Sequence, residues 1–388
     1  MPWKETNVVD ERTRFVLEYD SDEYTMAELC RIYGVARKTG YQWVERYEVE
    51  GLSGLHDRRY GAGSHPNQTD SGIEAQILQI KYAHPSWGAK KLHGYLLRKR
   101  NDVQWPVVST FGEILRRQGL SAPQAKRLKT PVYTRPFEKV EKANQVWCAD
   151  FKGWFRTTNG ERIDPLTVSD AHSRFLLRCQ SVEKTNTEQV QAIFAAMFRE
   201  YGLPYAMRTD NGAPFASRAI AGISRLSVYL MKLGIIPERI KPGHPEQNGR
   251  HERMHRTLKA ETAKPPAANR RAQQRAFDRF RQEYNQERPH EALQQQTPAS
   301  CYQSSPRMYP DRIAEPEYDS PMKGKRVYPD GTFFWKGTQI FISKSLGGES
   351  IGLEPIDDRY WEVYFAAFPL ARFDSHKLIL QPTSAKED

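Results

Sequence analysis

The spacing of apolar positions changes character several times along this 388-residue chain. Residues 10–50 predict three short helices, the middle one opening at "TMAE", where Thr25 and Glu28 have the spacing of a capping box. Gly34 and Val35 then supply a turn before "RKTGYQWVERY", which completes a helix-turn-helix pattern. The Gly-, Ser- and Pro-rich stretch "GLSGLHDRRYGAGSHPNQT" reads as a linker. A second helical unit spans about 71–120, with helices near Ile73 to Tyr82, Ala89 to Lys99 and in "STFGEILRRQGL". From Asn144 the pattern turns to strands: "QVWCADFKGWF", "IDPLTVSDAHSRF" and "LLRCQSVEK" are rich in β-branched and aromatic residues and broken by turn signals, which predicts a three-stranded antiparallel meander. A helix (Thr187 to Tyr201), a short strand ("YAMRTD"), a helix (Ser217 to Leu233), a strand-like "IIPERI" and one long basic helix from Asn248 follow.

That order predicts an α/β domain with a mixed five-stranded sheet of the ribonuclease H-like kind. Beyond a Pro-rich connector at 304–322, residues 323–375 alternate and turn often, which suits a small β-barrel of about five strands. Its role stays open between oligomerisation and DNA contact. The reading is therefore multidomain: helix-turn-helix units at 1–60 and 70–125, a ribonuclease H-like α/β domain at 140–300 and a barrel at 322–376.

Charge adds a partner. The 58 Lys and Arg against 47 Asp and Glu give a net +11, a balance that favours nucleic acid. The excess is concentrated: ten basic residues stand against two acids between Lys90 and Lys129. On the first unit Arg37, Lys38, Thr39, Gln42 and Arg46 are placed to face a DNA groove, and Arg116 and Arg117 are candidates on the second. The alternative for the first unit is a small helical bundle with a solvated basic face. Four scattered cysteines without C-x-x-C spacing offer neither a zinc knuckle nor a disulfide framework, which fits a reduced, cytoplasmic chain. No apolar run is long enough for a membrane span or secretion signal.

Three acids stand out by context. Asp150 lies in an otherwise apolar strand, Asp210 ends another just before "NGAPF", and Glu252 opens the basic helix, where ten Lys or Arg face three acids between Gly249 and Arg281. Arg256 at i+4 and Lys259 at i+7 share a face with Glu252. If the acids converge, their oxygens suit Mg²⁺ or Mn²⁺, and two such ions roughly 3.5–4 Å apart can drive an in-line phosphodiester displacement. Each acid also has a plainer reading: Asp150 paired with a buried Arg, Asp210 starting an Asx-turn, Glu252 neutralising Arg256.

The motifs "WCADFKGWF", "RTDNGAPF", "HPEQNGRHERMHRTLK" and "YNQERPHEALQQQTPA" together resemble the catalytic core of insertion-sequence transposases with a retroviral-integrase-like core, the DDE recombinases. The resemblance covers about 140–300, and the paired helix-turn-helix units match the usual layout before it. It implies that Asp150, Asp210 and Glu252 form the metal-binding triad, that the activity is metal-dependent DNA strand cleavage and strand transfer, and that the protein works as a dimer or larger assembly on terminal inverted repeats and target DNA. Arg250, Arg253, Arg256, Lys259, Asn211 and His244 are then candidate DNA contacts. One departure matters: 41 residues separate Asp210 from Glu252, whereas Glu246 would leave 35 and match the family's shorter spacing. The register of "HPEQNGRHER" nevertheless puts Glu252 at the family's Glu and Glu246 where it has Gln. Asp170 reads as a turn-former. A DNA-binding regulator without turnover and a metal-dependent nuclease without strand transfer are the rival functions.

Overall fold

The computed structural model describes residues 7–57, 68–121, 140–151, 153–215, 217, 222–240 and 249–382. It divides into units of Met1–Asp70 and Ser71–Asp388. In the first, α1 (Val8–Asp20), α2 (Met26–Ile32) and α3 (Arg37–Glu50) enclose Phe15, Val16, Leu29, Val44 and Leu55. The capping box forms as its spacing predicts: the Thr25 hydroxyl accepts from Glu28 N, and Glu28 accepts from Thr25 N at 2.9 Å. Gly34 makes the turn with φ 66°, a left-handed conformation that costs glycine little. Gly40 lets α3 pack close against α2, since a Cβ there would lie 2.8 Å from both Cys30 Sγ and Met26 Sδ.

The second unit begins with α4 (Ser71–Ala83), α5 (Ala89–Lys99) and α6 (Val108–Arg117), which close around Trp87, Leu92, Phe111 and Ile114. All three helices fall where the apolar spacing puts them. Next comes the central sheet, built from β1 (Val146–Phe151), a two-residue β2 (Phe155–Arg156), β3 (Arg162–Asp170), β4 (Leu176–Val182), β5 (Ala206–Thr209) and β6 (Ile236–Arg239). β3 is antiparallel to β1, β2 and β4, whereas β5 is parallel to both β1 and β6. The mixed five-stranded sheet is thus present, with β2 as a short addition.

Apolar alternation places helices on both faces. Adjacent Leu176 and Leu177 fall in different cores: Leu177 with Trp147, Val168, Phe194 and Phe198 under α7 (Thr187–Tyr201) and α8 (Arg225–Lys232), and Leu176 with Met254, Leu258, Phe277 and Phe280 under α9 (Gly249–Thr262) and α10 (Arg270–Gln286). Two expectations need correction here. The helix expected from Ser217 begins only at Arg225, because Ser224 caps it through a Ser224–Ser227 capping box. The single long basic helix is two, α9 and α10, interrupted at Pro265 and Pro266, which cannot donate the backbone hydrogen bonds a helix needs.

The C-terminal expectation also changes. β7 (Lys323–Arg326), β10 (Ser350–Pro355), β11 (Tyr360–Phe365), β12 (Phe368–Asp374) and β13 (Ile379–Pro382) form an antiparallel sheet in the order β13-β12-β11-β10-β7, while β8 (Thr332–Trp335) and β9 (Thr338–Phe341) make a separate hairpin. Hydrogen bonding does not close the sheet among the described residues, so the module is an open sheet with a hairpin packed on it rather than a barrel. Phe333 and Trp335 of the hairpin meet Trp361 and Phe373 of the sheet. Ile223, Val228 and Met231 join the same core from the α8 side. No described helix is long and apolar enough to cross a membrane.

Candidate active site

α9 is seated by one face and works with the other. His251, Met254, His255, Leu258 and Thr262 are buried, a spacing that repeats every three or four residues and lays one stripe on the sheet. Glu252, Arg253, Arg256 and Lys259 are left exposed. Glu252, Arg256, Lys259 and Lys264 share a hollow of about 530 Å³ with Asp150, Phe151 and His255. Two of the three singled-out acids therefore line one concavity together with the cations that the sequence placed beside Glu252.

The third acid follows from strand register. Ala149 pairs with Thr209 on adjacent parallel strands, so Asp150 and Asp210 are the next residues along strands spaced by about 4.8 Å. Asp210 does start the Asx-turn of its plainer reading, accepting Gly212 N at 3.2 Å on Oδ1. Burial raises its pKa above the ordinary aspartate value, and that hydrogen bond pulls the other way. Asn211 ties the same loop to the end of β6 through Nδ2 to Ile240 O at 2.9 Å, and buried Phe215 packs 5.5 Å from Phe151 between ring centroids.

Glu252 departs from its plainer reading, since it makes no ion pair with Arg256 or with any other described residue. Among the described residues, no three acid, histidine or cysteine side chains are gathered closely enough to hold a metal ion. Asp150 and Glu252 share the hollow, while Asp210 stands at the neighbouring strand end and does not line it.

Beneath the hollow lies a polar cluster that the motif reading did not single out. Thr167, the register partner of Asp150, has its hydroxyl oxygen 2.6 Å from Nε2 of both His251 and His255 and 3.2 Å from Asp150 O. All these contacts are satisfied when the hydroxyl accepts an N–H from each imidazole and donates its own proton to Asp150 O. Ser169 Oγ then donates to His251 Nδ1 at 3.4 Å. Burial depresses the His251 pKa to about 4, so that ring is neutral. His255 Nδ1 stands 3.8 Å from Asp150 Oδ2. The signal in the sequence was the i,i+4 histidine pair on the buried stripe of α9.

The remaining candidates separate by setting. Arg37, Lys38 and Gln42 are exposed on α3, with Thr39 half-buried beside them. Arg46 is engaged within its own domain, donating to His56 O at 2.7 Å and lying 4.3 Å over the Trp43 ring. Arg116 pairs with Glu113 at 2.5 Å and Arg117 with Glu74 at 2.6 Å, both largely exposed. Arg250 donates to Ala171 O at 3.1 Å, and burial lowers its pKa to about 10. Asp170 is the turn-former expected, accepting from Asn144 N and Ser173 N at 2.7 Å each. His244 and Glu246 lie outside the described residues.

Two family models described as "Integrase core domain" match residues 140–245 and 233–298, end to end across this sheet and its basic helix. Over these residues the chain is similar to integrase cores. Ahead of it, models described as "Helix-turn-helix domain" and "Homeodomain-like domain" match residues 11–63 and 39–115, which indicates DNA binding. The chain is 25% identical over 243 residues to an uncharacterized 31.7 kDa protein of insertion element IS407 from Burkholderia multivorans, covering 60% of this chain and 82% of that protein. It is 26% identical over 261 residues to an uncharacterized 39.2 kDa protein of insertion element IS476 from Xanthomonas euvesicatoria, covering 64% of this chain and 69% of that protein. The likeness to insertion-sequence transposases read from the motifs is thereby borne out. Among solved structures, the HTLV-2 integrase catalytic core in complex with magnesium matches at 16% identity and TM-score 0.33, over 41% of this chain and 97% of that one. A simian T-cell lymphotropic virus intasome chain matches at 16% and 0.36, over 80% of this chain and all of that one.

Proposed function

We propose that this integrase-core protein is the transposase of a bacterial mobile element, which binds the element's ends and catalyses metal-dependent cleavage and strand transfer of DNA. The single observation carrying this reading is the hollow that brings Asp150 and Glu252 together with Arg256 and Lys259. Asp210 on the next strand completes the triad. Two exposed or half-buried carboxylates beside open space, with His255 Nδ1 3.8 Å from Asp150 Oδ2 as the neighbouring imidazole nitrogen, fit a hard cation that keeps waters and takes further oxygens from phosphate. Asp150, Asp210 and Glu252 would hold Mg²⁺ or Mn²⁺, which when bound polarises the phosphodiester and activates the attacking oxygen.

The chain's own residues do the rest. Arg256 and Lys259 grip and orient the strand from the exposed face of α9, their charge offsetting that of the phosphates. Thr167 and His255 hold the backbone and carboxylate of Asp150 from below, so that acid meets its ligand in one orientation. The helix-turn-helix units, assigned to 1–60 and 70–125, recognise the terminal inverted repeats. The core at 140–300 carries the chemistry and the sheet module at 322–376 assists assembly of at least a dimer on DNA.

The test is Asp150→Asn on a labelled element end. End binding in a gel shift should survive while cleavage disappears; equal cleavage by both proteins sinks the assignment. A pre-cleaved end supplied with target DNA separates the rivals: joined product identifies a transposase, cut product alone a nuclease, and a shifted band alone a regulator.

A further inference from the structure

On the flank of α9 away from the acid hollow lies a second concavity of about 610 Å³, where the 71–117 helices dock on the core. Docking is polar: His84 meets Glu283 at 3.1 Å, Lys90 meets Glu291 at 2.8 Å, and Ser86 donates to Glu261 at 2.5 Å. The concavity itself is cationic, lined by Lys91 of α5, Arg174 of the β3–β4 turn, Arg253 and Arg256 of α9, and Arg288 with His290 beyond α10. Arg288 is joined to Glu261 at 2.9 Å. Among the described residues the side chains of Lys91, Arg174 and Arg253 make neither a hydrogen bond nor an ion pair.

Lys91 and Arg174 are half-buried; cations withdrawn from water without partners are costly, and proteins keep them where a ligand supplies the opposite charge. Three further features fit that account. Arg174 sits at φ 65°, a strained backbone for a bulky residue, and this turn conformation delivers its side chain to the concavity. His290 Nε2 is buried with no hydrogen-bond partner. Burial and the nearby Arg288 depress the Lys91 pKa to about 8, against the opposing pull of Glu261, Glu291 and Glu283.

We infer that this concavity is a binding site for the phosphodiester backbone of DNA, which receives the strand as it leaves the acid hollow. Arg256 lines both spaces, so a backbone gripped at Asp150 and Glu252 passes around α9 into the cationic site. The inference rests on the catalytic reading for its direction but has its own readout. The full-length protein carrying both Lys91→Gln and Arg174→Gln is compared with wild type by fluorescence anisotropy on a labelled 30-base-pair duplex across a salt series, without divalent metal. We expect about tenfold weaker binding and a log–log salt slope smaller by about two, for two phosphate contacts. The DNA-free variant should melt at the same temperature or higher, because it no longer buries unpaired charge. Unchanged affinity and slope would overturn the inference, as would weaker binding with a lower melting temperature, which marks the cations as structural. Inorganic phosphate serves as the second arm: stabilisation of wild type by phosphate with DNA affinity unaltered in the variant would assign the site to a free anion and also overturn it. Asp150→Asn run in parallel should keep the wild-type slope. Its cleavage result judges the catalytic reading separately.

Discussion

The two hollows flanking α9 share Arg256 and differ in sign. The one toward β1 sets Asp150 and Glu252 among Arg256, Lys259 and Lys264. The other sets Lys91, Arg174, Arg253, Arg256 and Arg288 around Glu291, which is already joined to Lys90. A hollow of mixed sign has oxygens for a cation and cations for a phosphate, and so can do chemistry on one. A hollow in which cations outnumber a single, already paired carboxylate favours an anion. On the proposed reading, one helix divides catalysis from grip according to which residue types it presents on each flank.

The largest expected effect tests whether the mixed hollow is the chemical one. Glu252→Gln should cut strand cleavage by roughly a thousandfold or more, about 4 kcal/mol of transition-state stabilisation, whereas Glu246→Gln should leave it near wild type. A reversal of the two in a cleavage assay would hand the third acid to the position that spacing favours. Next comes the support below that hollow. Thr167→Val keeps the shape but removes the hydroxyl that accepts from two imidazoles and donates to Asp150 O, and should cost about 1–3 kcal/mol in urea denaturation; no loss would show that the hydroxyl does not hold the cluster together.

The cationic hollow carries a pH signature. The Lys91 pKa is depressed in the folded chain to about 8, so between pH 8 and the ordinary lysine value the unfolded chain binds the extra proton. Stability then rises with pH: the penalty is full below about 8 and is relieved toward 10.5. Thermal melting without DNA should show a gain of roughly 1–3 °C over that window relative to Lys91→Met; parallel curves would remove the burial argument. The smallest effect lies outside both hollows. Arg37→Ala should weaken binding to an element end by about 1 kcal/mol and lower the salt slope by about one, while Arg46→Ala, whose guanidinium is engaged by His56 O and Trp43, should act mainly on folding.

Elements with strong local signals were legible in the sequence. The Thr25 capping box, the helix at Thr187–Tyr201 and the strand carrying Asp150 are set by neighbours close along the chain. What could not be read depended on distant partners. The barrel expectation rested on alternation, which reports that strands are half-buried but not whether the first and last pair. The single basic helix fails at Pro265 and Pro266, which stand within a run of charge that continues on both sides of them. At the site, residue type marked the acids of one hollow. The cationic site gathers Lys91, Arg174 and Arg288 from segments up to about two hundred residues apart, and only the docking of α5 on α9 and α10 brings them together.

That docking runs through Glu261, near the end of the helix that has Glu252 in its first turn. Its Oε1 accepts from Ser86 and from Arg288, while nine residues of uninterrupted helix, about 13.5 Å, lead back to Glu252. Mechanically this is a stiff lever clamped at one tip. If the 71–117 helices seize a duplex as proposed, a pull on them would meet the carboxylate at the opposite tip through a rigid strut, with no loop in between to absorb it.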